Sequence, residues 1–338
     1  MIQKNTVRFI SLIVLFFAAG LNAGDLEGFK ISGKSYFDYT HDISKDGPRA
    51  NGQDNGFMFR RAYLTINKTI NDDFSVRFRT DADRKADDKL RPFVKHLYLK
   101  WKDLLPSSAL YVGISGTPTW GVAEKVWGYR GLSKTVMDNF KGVTGTSASA
   151  SSADVGLALK GSVMDKKVAY HAMLANGAHY SHPENDKYKK AYLSVSTNVD
   201  GFVLEGYVDH EAKNSEHSNL TYKGFAGYQN DDLAVGAEYY MMTQGGAMDS
   251  LGNDLNLSAL SVFGRYNVTN NATVVLRYDM YDPNTDANDT ETGLVIAALD
   301  YRPAKGISVI PNIFYYTNSG VNDNPDIVGN LTFVWSFK

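Results

Sequence analysis

Connections of two lengths alternate along almost the whole chain, and this order is the strongest constraint on the fold. From Gly28 onward, stretches of about ten residues alternate apolar and polar side chains, which is the period of a β-strand. Seven connections between these stretches are short and rich in Asn, Asp, Gly or Pro, the residue types that form tight turns. They lie at 71–73, 103–109, 164–167, 198–201, 229–232, 267–272 and 302–306.

Eight longer, more polar connections interleave with the seven short ones. They lie at 42–56, 84–91, 116–152, 176–187, 213–219, 243–254, 282–290 and 317–325. Together they join sixteen strands and leave both chain termini on the short-turn side. Outer-membrane barrels have this asymmetry, with short periplasmic turns and longer extracellular loops. The order predicts an all-β chain, a sixteen-stranded antiparallel transmembrane β-barrel over residues 24–338. A miscounted weak strand would give fourteen or eighteen strands instead.

The N-terminus, residues 1–23, predicts a secretory signal peptide. Two basic residues precede an apolar run over 9–19, and cleavage is expected after Ala23, or alternatively after Gly20 or Asn22. A transmembrane helix is the other interpretation, but it needs about 17 to 25 apolar residues, more than this run has. The sequence therefore predicts an exported protein.

Composition narrows the function further. The signal contains two of the 35 basic residues and none of the 37 acidic ones, so the mature chain has a net charge of −4, which favours no nucleic-acid partner. No cysteine is present, although export permits disulfides, so stability must come from a core or from barrel closure. After the signal, no apolar run approaches the length of a membrane helix.

The ends of the strands carry aromatic residues. Trp101, Tyr281 and the pair Tyr239 and Tyr240 lie there, which is typical of the aromatic girdles at the two membrane interfaces. The last six residues, Phe-Val-Trp-Ser-Phe-Lys at 333–338, resemble the C-terminal strand of outer-membrane barrels. A secreted β-sandwich or solenoid also shows alternation and remains the competing architecture.

A hairpin over 56–84 contains the most distinctive charge pattern. Strict alternation places Arg61, Arg77 and Arg79 on one face, opposite the apolar residues. The same rule points Arg60 towards lipid, unless a bulge or a position near the extracellular rim turns it inward.

The other predicted inward faces extend this pattern. Strands one to five contribute basic residues and a few aspartates: Lys30, Lys34, Arg61, Arg77, Arg79, His96 and Lys100 against Asp38, Asp81 and Asp83. Later strands contribute a more acidic mixture: Glu205, Asp209, Glu238 and Asp279 against Arg265 and Arg277. One basic wall would attract anions. The alternative is that the arginines pair with carboxylates of the lumen.

The longest connection, 116–152, demands a function or a fold of its own. It contains Arg130 and Lys134 and ends in a run of Gly, Ser, Thr and Ala. A surface loop is the alternative. Enzyme signatures are missing from the sequence: 113–117 lacks the second glycine of G-x-S-x-G, and no H-E-x-x-H occurs. No catalytic, metal or cofactor site is predicted.

Three features carry a family resemblance: the run Phe57 to Leu64 with Arg60 and Arg61, the Arg/Asp-rich third strand, and the pair Tyr129-Arg130. Over about the first 140 residues they make the chain resemble the phosphate-selective porins of the porin O and porin P type. The resemblance implies a homotrimeric porin in the outer membrane of a Gram-negative bacterium, in contact with lipid and lipopolysaccharide. Its third loop would fold into the barrel and narrow it. Small hydrophilic solutes, and anions such as phosphate, would then diffuse through. The alternative is a barrel without a channel, either a hydrolase or protease at the rim or a structural or adhesive surface protein.

Pattern and resemblance together give one set of expected channel-lining and anion-binding residues. They are Lys30, Lys34, Arg60, Arg61, Arg77, Arg79, Lys100, Arg130 and Lys134.

Overall fold

The computed structural model describes residues 27–44, 55–83, 89–139, 151–184, 186–248, 254–318 and 324–338. The predicted signal peptide, 1–23, and the Gly/Ser/Thr/Ala run up to residue 150 lie outside these ranges. Within them the chain forms sixteen strands and two short helices. The helices are α1 (Gly121–Trp127) and α2 (Val136–Asn139).

The strands, in chain order, are β1 (Phe29–Asp42), β2 (Gly56–Thr69), β3 (Phe74–Asp83), β4 (Arg91–Lys102), β5 (Ser108–Ser115), β6 (Asp154–Val163), β7 (Val168–Ala175), β8 (Lys190–Val199), β9 (Phe202–Ala212), β10 (Ser218–Gln229), β11 (Leu233–Met248), β12 (Asp254–Thr269), β13 (Ala272–Asp282), β14 (Thr292–Ala304), β15 (Ile307–Asn318) and β16 (Asp326–Phe337).

Every strand pairs antiparallel with its neighbours in sequence, and β1 pairs with β16 from Gly33 opposite Phe337 to Asp42 opposite Val328. The sheet is therefore a closed sixteen-stranded barrel, which confirms the predicted fold and strand count. Short and long connections alternate as predicted, because two residues join β12 to β13 whereas 116–153 join β5 to β6. No helix among the described residues is long and apolar enough to cross a membrane.

The two faces of the sheet differ in polarity in the sense that a membrane barrel requires. In β8 the enclosed residues are Lys190, Tyr192 and Ser194, whereas Leu193 and Val195 on the outer face are each 42% exposed. An apolar outside and a polar inside are the reverse of a water-soluble protein.

Register shifts interrupt five of the described ladders, and two of these, in the β1–β2 and β3–β4 pairs, each turn an extra cation towards the enclosed face. Tyr36 pairs with Arg61 and Phe37 pairs with Phe59, so Arg60 has no partner in the ladder, and its side chain reaches Asp38 inside the barrel. Strict alternation, which points Arg60 towards lipid, is therefore wrong at this position. On β4 the register likewise skips Lys95, whose amine contacts the enclosed Asp81.

The aromatic residues near the strand ends divide between the two faces. Trp101 and Tyr239 are 39% and 45% exposed on the outside. Tyr240 and Tyr281 are buried in an internal cluster instead. The girdle prediction is wrong for these two. Adjacent residues of a strand point to opposite faces, so Tyr240 faces inward when Tyr239 meets lipid, and Tyr281 shares the enclosed face of β13 with Arg277 and Asp279.

Gly113 of β5 is expected to be essential for the β4–β5 ladder. It has a φ of +119°, and a Cβ there would lie 2.4 Å from the backbone oxygen of Leu97. We expect Gly113→Ala to cost about 1–3 kcal/mol of barrel stability. Gly206→Ala is the matched control, because no atom lies within 4 Å of its Cβ position. Thermal unfolding in detergent, followed by gel mobility, checks this. Equal stability of the two variants would contradict it.

Candidate functional site

The segment between β5 and β6 contacts strands that lie far apart around the barrel. At one end the Trp127 side chain of α1 is fully buried, with its ring centroid 5.2 Å from that of Phe263 on β12. At the other end a Cβ on Gly131 would lie 2.7 Å from Val334 of β16 and 3.2 Å from Tyr36 of β1. Only a glycine fits this approach, so the sequence of the segment is adapted to the wall that it meets.

Two arginines on different walls fasten this segment by its backbone. Arg60 pairs with Asp38 through bonds of 2.6 and 3.2 Å and also donates to the carbonyl oxygen of Gly131. Arg277 pairs with Asp279 at 2.6 Å and donates to the carbonyl oxygen of Lys134. We call these the β2 latch (Asp38 and Arg60) and the β13 latch (Arg277 and Asp279). Charge-assisted bonds of this kind are about twice as strong as neutral ones.

Apolar side chains of the same segment fill the space along β8 to β15. In α1 and the turn after it, Val126, Trp127 and Leu132 pack in a buried cluster with Phe225 and Phe263. A second cluster brings Trp120, Val136 and Met137 together with inward tyrosines. Side chains therefore occupy much of this half, and a cavity of about 300 Å³ remains beside Arg265, Arg302 and Ile310.

Charged side chains on the enclosed face of β8 to β11 form ion pairs that are buried from solvent. The Lys190 amine lies 3.1 Å from Asp209, and the Lys223 amine lies 2.7 Å from Glu205. Both lysine side chains are almost fully buried, as are these carboxylates. A buried ion pair has little charge left to offer a solute, so this wall serves packing.

Open space lies on the other side of the segment. A chamber of about 630 Å³, which we call the main chamber, lies between the segment and strands β1 to β4 and β16. Its walls include Lys34, Arg79, Lys95 and Arg130. A second cavity of about 310 Å³ adjoins Arg60, Arg61 and Lys134.

Four of the predicted site residues are held by carboxylates. Arg60 belongs to the β2 latch, and Arg61 contacts Asp81 at 2.6 Å and Asp83 at 3.5 Å. Arg130 pairs with Glu124 and lies 3.3 Å from Asp138, which also accepts a bond of 3.1 Å from Lys134. The positive charges of these four residues are therefore largely neutralised by neighbouring carboxylates.

The other five have no ion pair with any described carboxylate: Lys30, Lys34, Arg77, Arg79 and Lys100. Neutral groups hold the two arginines, because Arg77 donates to Asn67 and Arg79 donates to Thr65, each at 2.7 Å. The Lys100 amine lies 5.6 Å from the ring centroid of Tyr111.

Two further cations of this wall escaped the sequence analysis. Lys160 of β6 lies 4.7 Å from the centroid of the same Tyr111 ring, and it too is without a described carboxylate partner. Alternation in β6 could have found it, because its neighbours Leu157 and Leu159 mark the outer face. Lys95 could not have been found in this way, because only the bulge turns it inward. We call Lys30, Lys34, Arg77, Arg79, Lys100 and Lys160 the unpaired cations.

Among the described residues no cluster of His, Asp and Glu could hold a metal ion. Two imidazole nitrogens of the basic wall, Nδ1 of His96 and Nε2 of His171, are buried without a hydrogen-bond partner. His96 lines the main chamber, and His171 lies opposite Lys160 in the ladder.

Solved structures with the same architecture are outer-membrane proteins. The anion-selective porin from Comamonas acidovorans matches with a TM-score of 0.68 and 9% identity, over 91% of this chain and 99% of that one. The outer-membrane channel DcaP of Acinetobacter baumannii matches with a TM-score of 0.64 and 13% identity, over 91% and 97%. This chain has the porin fold.

A third similar structure is the trimer form of OmpT, an outer-membrane protein of Vibrio cholerae, with a TM-score of 0.62 and 16% identity over 91% of this chain and 99% of that one. No protein-family model and no curated protein sequence matches the chain. The likeness therefore lies in the fold, with 9–16% of residues identical in these three structures.

Loss of the β2 latch should loosen the segment between β5 and β6 and widen the open space beside it. We expect Arg60→Met combined with Asp38→Asn to raise single-channel conductance, because Gly131 loses its donor while no buried charge is left alone. Lys223→Met with Glu205→Gln and Glu238→Gln is the matched control, since no described hydrogen bond or ion pair of these three residues reaches the segment and no buried charge is left alone. Conductance in planar bilayers is the measurement, and an unchanged value for the latch variant would contradict the role of the latch.

Lys134 should make ion preference depend on pH. Burial lowers the pKa of its amine, against the opposing effect of Asp138. Its positive charge is therefore lost at a lower pH than that of an ordinary lysine, and ion selectivity should shift towards cations as the pH rises. Reversal potentials between pH 7 and 10 measure this, a range below the ordinary lysine pKa of about 10.4. In Lys134→Met the shift over this range should be smaller, and an identical profile would contradict the assignment.

Proposed function

We propose that the protein is a porin of a Gram-negative outer membrane, through which small hydrophilic solutes diffuse and anions pass in preference to cations. The observation that supports this most directly is the contrast between the two walls. Lys190 of β8, Lys223 of β10 and Arg277 of β13 are buried in ion pairs, although Arg265 of β12 has no described carboxylate partner. The six unpaired cations belong to β1, β3, β4 and β6, and two of them, Lys34 and Arg79, line the main chamber. An uncompensated positive wall concentrates anions.

The segment 116–139 would be the constriction of this channel. Its two latches and its buried apolar clusters fasten it across the enclosed space, which leaves the main chamber as the route along the basic wall. The unpaired cations would contact the permeating ion. The paired residues Arg60, Arg61, Arg130 and Lys134 would shape the path and add a weaker field.

The remaining expectations complete the proposal. Residues 1–23 would direct export, and the apolar outer face would contact lipid and, at the extracellular rim, lipopolysaccharide. A homotrimer is proposed from the resemblance and from the trimer form of one similar structure. Phosphate would be one of the anions conducted. We propose no catalytic activity, no cofactor and no nucleic-acid partner.

Ion preference tests the proposal. Arg77→Met, Arg79→Met and Lys100→Met in one variant remove three charges without leaving a described carboxylate unpaired. We expect the reversal potential in a KCl gradient to shift clearly towards cations, because the field of the wall falls.

The matched control is Arg61→Met with Asp83→Asn, which removes one cation and one carboxylate while Asp81 keeps its contact with Lys95. It should leave the reversal potential nearly unchanged while lowering thermal stability. Cation preference of the wild type would contradict the anion proposal, and absence of stepwise conductance would contradict the channel itself. Hydrolysis of lipid or peptide by the purified barrel would support an enzyme instead.

A further inference from the structure

The main chamber is larger than a site for a single inorganic ion requires. Its volume of about 630 Å³ lies within the range of about 300–1,000 Å³ that is typical of sites for small organic molecules. Hydroxyl groups of Ser32, Thr65 and Thr117 contribute to its walls beside the charged and aromatic groups. Such a lining suits an organic solute with more than one kind of contact.

Two chamber cations on strands β1 to β4 have charge to offer. Lys95 and Arg130 are engaged by Asp81 and by Glu124, whereas Lys34 and Arg79 are unpaired cations. Glu124 is the acidic side chain among the chamber residues, and Arg130 holds it. Both free charges lie on the β1–β3 wall, where Arg79 could bind a carboxylate through its planar guanidinium group.

An aromatic ring lies between these two charges. Tyr63 is opposite Lys34 in the β1–β2 ladder, and Thr65, the hydrogen-bond partner of Arg79, is two residues further along the same face. The ring of Tyr36 packs edge-on against Tyr63, with centroids 5.9 Å apart and an interplanar angle of 75°. The Tyr63 ring is thus held in place while its side chain remains partly exposed to the chamber.

The unpaired positive charges of Lys34 and Arg79 beside the fixed ring of Tyr63 favour one class of solute. We propose that the main chamber is a weak, saturable binding site for organic anions in which a carboxylate is attached to a ring. The carboxylate binds between Arg79 and Lys34, and the ring packs on Tyr63. Polar substituents of such a solute can bond to the chamber hydroxyls. This inference rests on the proposed channel function and specifies its solute.

Current block in a planar bilayer tests the site. Chloride current is measured in KCl while benzoate, glucuronate, acetate or phosphate is added to one side. Benzoate and glucuronate should reduce the current with saturation. Acetate has the same carboxylate without a ring, so its half-blocking concentration should be higher by about twofold to tenfold, the factor that corresponds to one aromatic contact. Phosphate should block no better than acetate.

Variants separate the two contacts. Tyr63→Leu should raise the half-blocking concentration of benzoate to that of acetate, and Tyr63→Phe should leave it unchanged. Arg79→Met should weaken block by all three carboxylates alike. Tyr39→Leu is the matched control, because Tyr39 lies on the outer face of the neighbouring strand.

Equal block by benzoate and acetate, stronger block by phosphate, or block of Tyr63→Leu at the wild-type level would each overturn the inference. The wild-type comparison decides this even where a variant fails to fold. Failure of the proposed function looks different. Cation preference in a KCl gradient would contradict the proposed anion channel, but the block by ring carboxylates would still test the binding site. A barrel that conducts nothing would contradict both the channel and the binding site.

Discussion

Closure of the sheet by the β1–β16 pair is the constraint on which the rest of the structure depends. In a membrane every backbone N–H and C=O must find a partner within the protein, and a closed barrel provides this without an exposed edge. Closure also defines an inside and an outside. Once these exist, alternate residues of each strand face either lipid or an enclosed space, and the polar ones collect inside.

The enclosed space is then divided by a single connection. Two latches of one aspartate and one arginine each hold the segment after β5, and Gly131 allows its close approach to β1 and β16. Apolar side chains pack along β8 to β15, and the main chamber lies beside the other wall. The lysines of β8 and β10 are neutralised by carboxylates, whereas the unpaired cations have no described carboxylate partner. The asymmetry of the enclosed space thus follows in part from the placement of one segment.

The periodicity of the sequence was sufficient to predict the fold, but it assigned only some of the residues of the site. Arg77, Arg79 and Lys100 were predicted on the inner face by alternation, and they are unpaired cations. Arg60 and Lys95 could not be assigned by alternation, because a bulge shifts the register by one residue and is invisible in the pattern. Tyr240 and Tyr281 resembled girdle residues, yet they are buried in the interior.

The sequence by itself determined the architecture. Connection lengths and the period of two are local properties, and they suffice to count sixteen antiparallel strands and to name their apolar faces. It could not decide which charges are free. Whether an inward arginine offers its charge to a solute depends on the carboxylate facing it, and that partner often comes from another strand: Asp38 for Arg60 and Asp81 for Arg61. Such pairings arise only when register, bulges and the third connection are fixed together in three dimensions.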